Sequence, residues 1–471
     1  MLATLTNLLW DYVLLYVLVA IGLWFSVASG FVQFRYFGRM FRIFRHAFKH
    51  QSGSQISSFQ ALILSVAGRV GGGNIGGVAV AITLGGPGAV FWMWVIGLMG
   101  MATSFFECSL AQLFKTSEAD GSFRGGPAFY IARGLKLRWP GYLFSVLLLV
   151  TFGFGFNAFQ SYAVSTSMYE AFGIPTFVSG LVLAAVLGFT IFGGVKRIAE
   201  VAEVVVPVMA IGYILIAIVV IALHITEVPG VLVLIVESAF GFNEAIAGGI
   251  GAAVAMGVRR GLFSNEAGLG SAPNVAAVAT VGHPGTQGVV QAFSVFIDTL
   301  ILCSCTAFVI LLSGVYQPGA ETGGVELTQI ALADHVGAWG QYFVSVALLL
   351  FAFSSMIYNS FLGENSIEFF HKEAKLAINV FRGLVVALVA WAAVQDLSTI
   401  FSFADATMGL LAVVNLVALA FLFKIGKRVL DDFADAVRHN PDHPVLEASR
   451  FQDLDLDPRA WSPETTREAI D

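Results

Sequence analysis

Ten residues of this chain, Gly68-Arg-Val-Gly-Gly-Gly-Asn-Ile-Gly-Gly77, bring together features that a lipid-facing helix does not need. They lie inside an apolar run from about residue 56 to 84, which is long enough to cross a bilayer. Glycine carries a large backbone-entropy cost in a helix, so Gly71, Gly72, Gly73, Gly76 and Gly77 point to a broken transmembrane helix. Its freed amides and carbonyls would line a binding site near the bilayer midplane, since non-helical backbone at that depth must be satisfied by protein or by a wet cavity. The other reading of the glycines is a small-residue packing face on a continuous helix. Arg69 and Asn74 favour a site, because buried polar groups need partners.

Two further polar constellations stand in apolar runs. Gly153-Phe-Gly155-Phe-Asn157 is followed by Gln160; Asn157 and Gln160 are three apart and so share a helix face. They read as site residues or as hydrogen-bonding links between helices. Ser354 and Ser355 are adjacent hydroxyls in the middle of a span, and by themselves they read as bonding their own helix carbonyls. The acids in or near apolar runs are Glu107, Glu200, Glu203, Glu266, Asp298, Glu364 and Asp405. No nucleophile–base pair or paired-carboxylate context accompanies them, so the chain does not read as an enzyme, and no cofactor is expected. Cys108, Cys303 and Cys305 lie in apolar runs and suggest neither a disulfide framework nor a metal site.

The elements that must position these residues are membrane helices. Of the 471 residues 57% are apolar and only 12% charged, about half the charged share of a soluble protein. Nothing resembles a nucleic-acid surface. We read an all-α integral membrane protein with eleven spans, near 9–31, 56–84, 88–114, 140–166, 177–194, 203–224, 243–262, 286–313, 340–363, 376–394 and 399–424. Basic residues occupy every second connection: Arg35 to Lys49, Lys115 to Arg138, Lys196 and Arg197, Arg259 and Arg260, Lys372 and Lys375, and Lys424 to Arg428. The positive-inside rule then places the N-terminus outside and the C-terminus in the cytoplasm of a bacterial inner membrane. The divisions expected are an N-terminal helix with its basic connection (1–54), a core (55–425) and an acidic cytoplasmic tail (426–471), either partly disordered or docked.

A second glycine cluster, Ala247-Gly-Gly-Ile-Gly-Ala252, falls in the seventh span. With the first span set aside, the two interrupted spans each open a group of five. Such a pairing is the sequence sign of a 5+5 inverted-repeat transporter, here with repeats near 55–224 and 243–424. The stretch from Gly85-Gly-Pro-Gly to Gly97 resembles the signature of the alanine or glycine:cation symporter family. Arg259-Arg-Gly-Leu-Phe-Ser-Asn-Glu-Ala-Gly-Leu-Gly-Ser-Ala-Pro273 resembles a second, and His283-Pro, Gln287-Gly, Gln291 and Phe296-Ile-Asp-Thr299 resemble the helix that follows. The resemblance covers most of residues 55–425.

That resemblance implies a leucine-transporter-like core and symport of a small neutral amino acid with Na⁺ by alternating access. The alternatives are an H⁺-coupled permease, or a channel-like or sensory protein that does not transport. Amides of Gly71 to Asn74 would meet the substrate carboxylate, with Gly155, Asn157, Gln160, Gly249 and Tyr358 completing the pocket. The carbonyls of Ala67 and Val70 would face Ser354 and Ser355 around Na⁺. A methyl at Gly73 would intrude on the pocket, whereas one at Gly77, a turn further on, would be tolerated. Arg69, Glu107, Arg259 and Glu266 are gate or pairing candidates: Arg69 with Glu107 or Glu364, and Glu266 with Arg259 or Arg260. The sequence departs from the family pattern at Gly72, where a threonine is usual, and at Arg69, where some relatives carry an acid; both leave the substrate and its pose open.

Overall fold

The architecture comes from a computed structural model, which describes residues 6, 9–47, 56–118, 121–241, 249–317, 324–371 and 374–462. The side chains of 11, 43–47, 194–203 and 397–398 lie outside that description, and with them the expectations for Glu200 and Glu203. The helices are α1 (Leu15–Ala28), α2 (Phe37–Ala47), α3 (Ser58–Arg69), α4 (Val78–Gly85), α5 (Gly88–Leu113), α6 (Pro127–Gly134) and α7 (Arg138–Leu148). Then come α8 (Asn157–Phe172), α9 (Thr176–Ile191), α10 (Gly194–Leu223), α11 (Val228–Ala239), α12 (Gly249–Asn265) and α13 (Ala272–Val278). The last are α14 (Pro284–Val295), α15 (Cys303–Leu312), α16 (Gly324–Val336), α17 (Trp339–Phe370), α18 (Lys375–Ala392) and α19 (Leu397–His439). Among the described residues seven continuous helical stretches are long and apolar enough to span a bilayer, and one bent pair makes an eighth. Shorter apolar helices cover Tyr12–Ala28, Thr176–Ile191 and Val228–Ala239. Wide π-helical turns join α7 to α8 (Leu149–Phe156) and α14 to α15 (Phe296–Leu302), and a third spans Gly73–Gly77.

The first interruption lies where the glycines put it. A capping box starts α3: Ser57 Oγ accepts from the Gln60 amide and Gln60 Oε1 from the Ser57 amide, both at 3.1 Å. The helix runs to Arg69, Val70 is extended (φ −78°, ψ 104°), and the resumed segment from Gly73 to Gly85 is bent by 54°.

Of the second glycine cluster, the described residues 249–252 belong to a helix. Residues 247 and 248 lie outside the described residues, and α12 is continuous from Gly249 to Asn265. The chain breaks over 266–271, where Glu266 (φ 55°), Gly268 (φ 88°) and Gly270 (φ 79°) take left-handed backbone. Three such positions in five residues cannot continue a right-handed helix. Gly249 is also left-handed (φ 61°), but it stands at the first position of α12 and interrupts nothing described, whereas the three after Asn265 fall between α12 and α13. The two interrupted segments meet end to end: Ile56, before α3, bridges Ala279, after α13, and the Thr280 amide donates to the Ile56 carbonyl at 3.0 Å.

Strands β1 (Thr116–Ser117) and β2 (Phe123–Arg124) pair antiparallel after α5. The helix α19 continues past residue 425 to His439, and the residues after it are docked as a strap over the same end of the bundle. Arg39 donates to the Pro441 carbonyl, the Leu446 amide to the Gly282 carbonyl (2.9 Å), the Ser117 amide to Asp457 (2.9 Å), and Trp461 Nε1 to the Leu113 carbonyl (3.1 Å).

Candidate substrate and ion site

Broken backbone at the centre of a membrane bundle needs partners for every freed group, and side chains from four other helices provide them. In the first interruption the Gly71 amide donates to Asn74 Oδ1 (2.9 Å) and the Gly72 amide to Gln160 Oε1 of α8 (3.0 Å). The Asn74 carbonyl accepts from Thr306 of α15 (2.7 Å) and the Ile75 carbonyl from Thr328 of α16 (3.3 Å). On the other side of the break Ser354 Oγ lies 3.2 Å from the Ala67 carbonyl, and Ser355 Oγ is 3.2 Å from Ala67 and 3.1 Å from Val70. The four residues expected to offer Na⁺ oxygens therefore lie together. The hydroxyls also bond the Phe351 carbonyl of their own helix, the bonding that their mid-span position suggested.

The glycines make room rather than supply unusual backbone. None of Gly71, Gly72 and Gly73 has a positive φ. A Cβ at Gly71 would lie 2.5 Å from Gln160 Nε2 and 2.7 Å from Ser355 Oγ; at Gly72, 3.0 Å from Phe159; at Gly73, 3.1 Å from Phe263. At Gly77 it would meet nothing within 4 Å. Of the other pocket candidates, Asn157 donates to the Gly153 carbonyl (3.0 Å) and accepts from Asn359 (3.3 Å), one turn below Gln160. A side chain at Gly155 would point at Phe403 of α19 (3.4 Å), and the Tyr358 ring packs on Gly68, before the break. Gly249 is exposed at the start of α12, with open space where a side chain would stand, and none of the hydrogen bonds described at the break involves it.

The expected ion pairs are replaced by others. Arg69, 3% exposed, donates to the Gln291 carbonyl (3.2 Å), to Ser294 and to Ser104 (3.3 Å), and makes no salt bridge to Glu107 or Glu364. Glu107 instead caps the second interruption, accepting from the Gly268 amide (3.1 Å) and from Asn415 (3.0 Å). Glu364 is held by Arg382 (2.6 and 2.9 Å). Glu266 accepts from Ser271 (2.5 Å) rather than from either arginine. Arg260 pairs with Asp405 (2.7 Å) and Arg259 stands over the Trp10 ring (5.3 Å). Free carbonyls and amides near a break compete well for a guanidinium or a carboxylate, and sequence spacing does not reveal them.

Two features of the site were not placed at the break from the sequence. Asp298, in the wide turn before α15, accepts from Asn74 (2.6 Å), Ser264 (2.6 Å) and Thr299 (2.9 Å), and so contacts the break directly. Its depth in an apolar run was the available signal. The rings of Phe159, Phe263 and Phe401 pack at 4.9–6.1 Å beside Gly72 and Gly73, with Arg260 over two of them. Phe159 and Phe401 also floor a cavity of about 400 Å³ whose walls include Glu170, Glu326 and Gln329.

Comparison with known proteins identifies the family and the fold. The chain is 45% identical over 449 residues to the amino-acid carrier protein AlsT of Bacillus subtilis, covering 95% of each chain. It is 48% identical to the probable sodium/glutamine symporter GlnT of the same organism (91% of this chain, 89% of the relative). A sodium/proton-dependent alanine carrier of Bacillus sp. PS3 is 38% identical (85% and 93%). Among solved structures, MhsT in complex with L-phenylalanine superposes with a TM-score of 0.53 at 14% identity (81% and 99%), which shows a shared leucine-transporter fold. The model of the sodium:alanine symporter family matches residues 1–448, and the chain belongs to that family.

Proposed function

We propose that this amino-acid symporter couples Na⁺ influx to uptake of a small neutral amino acid, alanine or glycine, by alternating access. The observation that carries the reading is the contiguity of the two halves of the site. Ser355 Oγ touches the Ala67 and Val70 carbonyls, while Gly71, the next residue, leaves its own space to Ser355 and Gln160. Neutral oxygens suit a hard monovalent cation at membrane depth. Substrate would take over the Gly71 and Gly72 amides from Asn74 and Gln160, and the ion would take over the carbonyls from the serines, so each site's occupancy alters the other's walls. The cavity floored by Phe159 and Phe401 would be the outer vestibule, with the N-terminus outside and the C-terminus cytoplasmic. The membrane potential supplies about 2.3 kcal/mol per charge per 100 mV to the coupled step.

The test is uptake of labelled alanine into proteoliposomes against Na⁺ concentration. Ser354→Ala/Ser355→Ala should raise the Na⁺ concentration for half-maximal uptake with the protein still folded; unchanged Na⁺ dependence would refute the ion assignment. A competition panel should rank alanine, glycine and serine above leucine and tryptophan. A second reading, H⁺ coupling, is favoured by the contact of Asp298 with Asn74. Uptake that survives removal of Na⁺, follows an imposed pH gradient and is lost in Asp298→Asn would establish it.

A further inference from the structure

Away from the candidate site, at the end of the bundle that carries the strap, a cavity of about 710 Å³ opens between β1, α6, α7, the end of α17 and the start of α18. Five cations line it: Arg124, Arg133, Arg138, Lys375 and Arg459, against the acids Glu118, Glu368 and Asp455. Arg124 is occupied by Glu368, by Glu118 (3.7 Å) and by Asn365 (3.1 Å), and Arg459 lies 3.9 Å from Asp457. Among the described residues Arg133, Arg138 and Lys375 have no acidic partner within 4 Å, which leaves three cations facing Asp455. The Nη1 donor of Arg133 is buried and makes no hydrogen bond. An unpaired guanidinium donor is costly in such a place unless an anion completes it.

The cavity is bordered by a surface that suits lipid. On α7 the exposed residues Trp139 (67%), Tyr142 (40%), Leu143 (40%) and Val146 (46%) recur at i, i+3, i+4 and i+7, an apolar stripe facing outward from the bundle. Tyr142 also lines the cavity, and its ring stacks on Phe370 at 5.2 Å. Tryptophan and tyrosine at the mouth of a basic recess mark the headgroup level, and basic pockets between membrane helices take anionic headgroups.

We propose that this recess binds the phosphate headgroup of an anionic phospholipid, with its acyl chains along the Trp139–Val146 stripe of α7. Arg133 and Arg138 present hydrogen-bond donors to the phosphate, Lys375 adds charge from α18, and the stripe receives the hydrocarbon. Tethering at this position links α7, α17 and α18 to the membrane through a ligand that is neither amino acid nor Na⁺.

The test uses the full-length protein in neutral detergent, titrated with fluorescently labelled phosphatidylglycerol and, separately, with labelled phosphatidylcholine. Phosphatidylglycerol should bind more tightly. Arg138 and Lys375 are exposed, so Arg138→Gln/Lys375→Gln should fold normally. It should lose about fivefold in phosphatidylglycerol affinity per charge removed, roughly 25-fold in all, with phosphatidylcholine unaffected. Arg42→Gln, on α2, should leave both affinities unchanged. Inorganic phosphate and glycerol phosphate should displace the lipid only at far higher concentration, because they lack the chains. Equal binding of the two lipids, retention of the preference in the double variant, or displacement by inorganic phosphate as effective as by unlabelled lipid would each overturn the assignment.

Discussion

Gly71→Ala tests whether substrate and ion meet at the break. The new methyl would sit 2.5 Å from Gln160 Nε2 and 2.7 Å from Ser355 Oγ, where ordinary contact needs about 1 Å more. Both neighbours must give way. Withdrawal of Gln160 removes the acceptor of the buried Gly72 amide (3.0 Å), and leaving a buried donor unsatisfied costs about 1–3 kcal/mol. Withdrawal of Ser355 takes its hydroxyl from the Ala67 and Val70 carbonyls. The unsatisfied Gly72 amide costs the empty protein stability, while the methyl fills space the substrate would enter; about 2 kcal/mol of overpacking in the occupied site should lower alanine affinity about thirtyfold, and the Na⁺ concentration for half-maximal uptake should rise in the same variant. Gly77→Ala is the control: its methyl meets nothing within 4 Å, and replacing a helical glycine gains up to about 1 kcal/mol of stability. The assay is equilibrium binding of labelled alanine to purified protein at several Na⁺ concentrations, with thermal unfolding run alongside. A folded Gly71→Ala protein with normal affinity for both would refute the reasoning. Gly73→Ala should be milder than Gly71→Ala, because its methyl would press only on the edge of the Phe263 ring at 3.1 Å.

Arg260→Gln should lower the unfolding midpoint, because it leaves Asp405 buried without its cation, a loss of about 3–5 kcal/mol; adding Asp405→Asn should recover much of it, and a double variant no better than the single would count against the pair. His283 accepts at Nδ1 from the Gly285 amide (2.9 Å) and donates from Nε2 to Asp432 (3.0 Å), so its ring is neutral, and burial holds it below its ordinary value of 6.5. The unfolded chain then binds more protons in that range, so this stability is present above pH 6.5 and lost on acidification below it. Thermal midpoints between pH 8 and 5 should fall less in His283→Gln than in the parent. The native cysteines are buried, so single cysteines introduced at Glu326 and Lys136 report the orientation: an impermeant maleimide added outside cells should label the first and spare the second.

The first interruption was legible because glycines and a polar Asn-Arg pair stand together in an apolar run, where few structures other than a break account for them. The break over 266–271 was not legible, because the glycine cluster at 247–252 is the stronger glycine signal in that span. The chain turns where Glu266, Gly268 and Gly270 each take positive φ, and the better signal was Asn265-Glu266 within an otherwise apolar stretch. The four residues proposed for Na⁺ came from family resemblance, since two of their oxygens are backbone carbonyls that any residue type could present. The partners of Arg69 were out of reach for a related reason. They are a carbonyl and hydroxyls, one of them 225 residues away, and only the packing of α5 and α14 around α3 brings them near.

The docked strap has a consequence for how the protein is made. Residues 440–462 hold Arg39 on α2, Leu113 at the end of α5, Ser117 of β1 and Gly282 before α14. They leave the ribosome after every helix they secure, so these contacts form only once those helices have been synthesised. A nascent or truncated chain ending at His439 would possess all the residues of the break, the serine pair and Asp298, yet leave the hairpin from Thr116 to Arg124 without its cover. Such a chain should be cut by trypsin near Lys115 and Arg124 while the finished protein resists. The strap would thereby give cellular proteases a means of telling completed copies from interrupted ones.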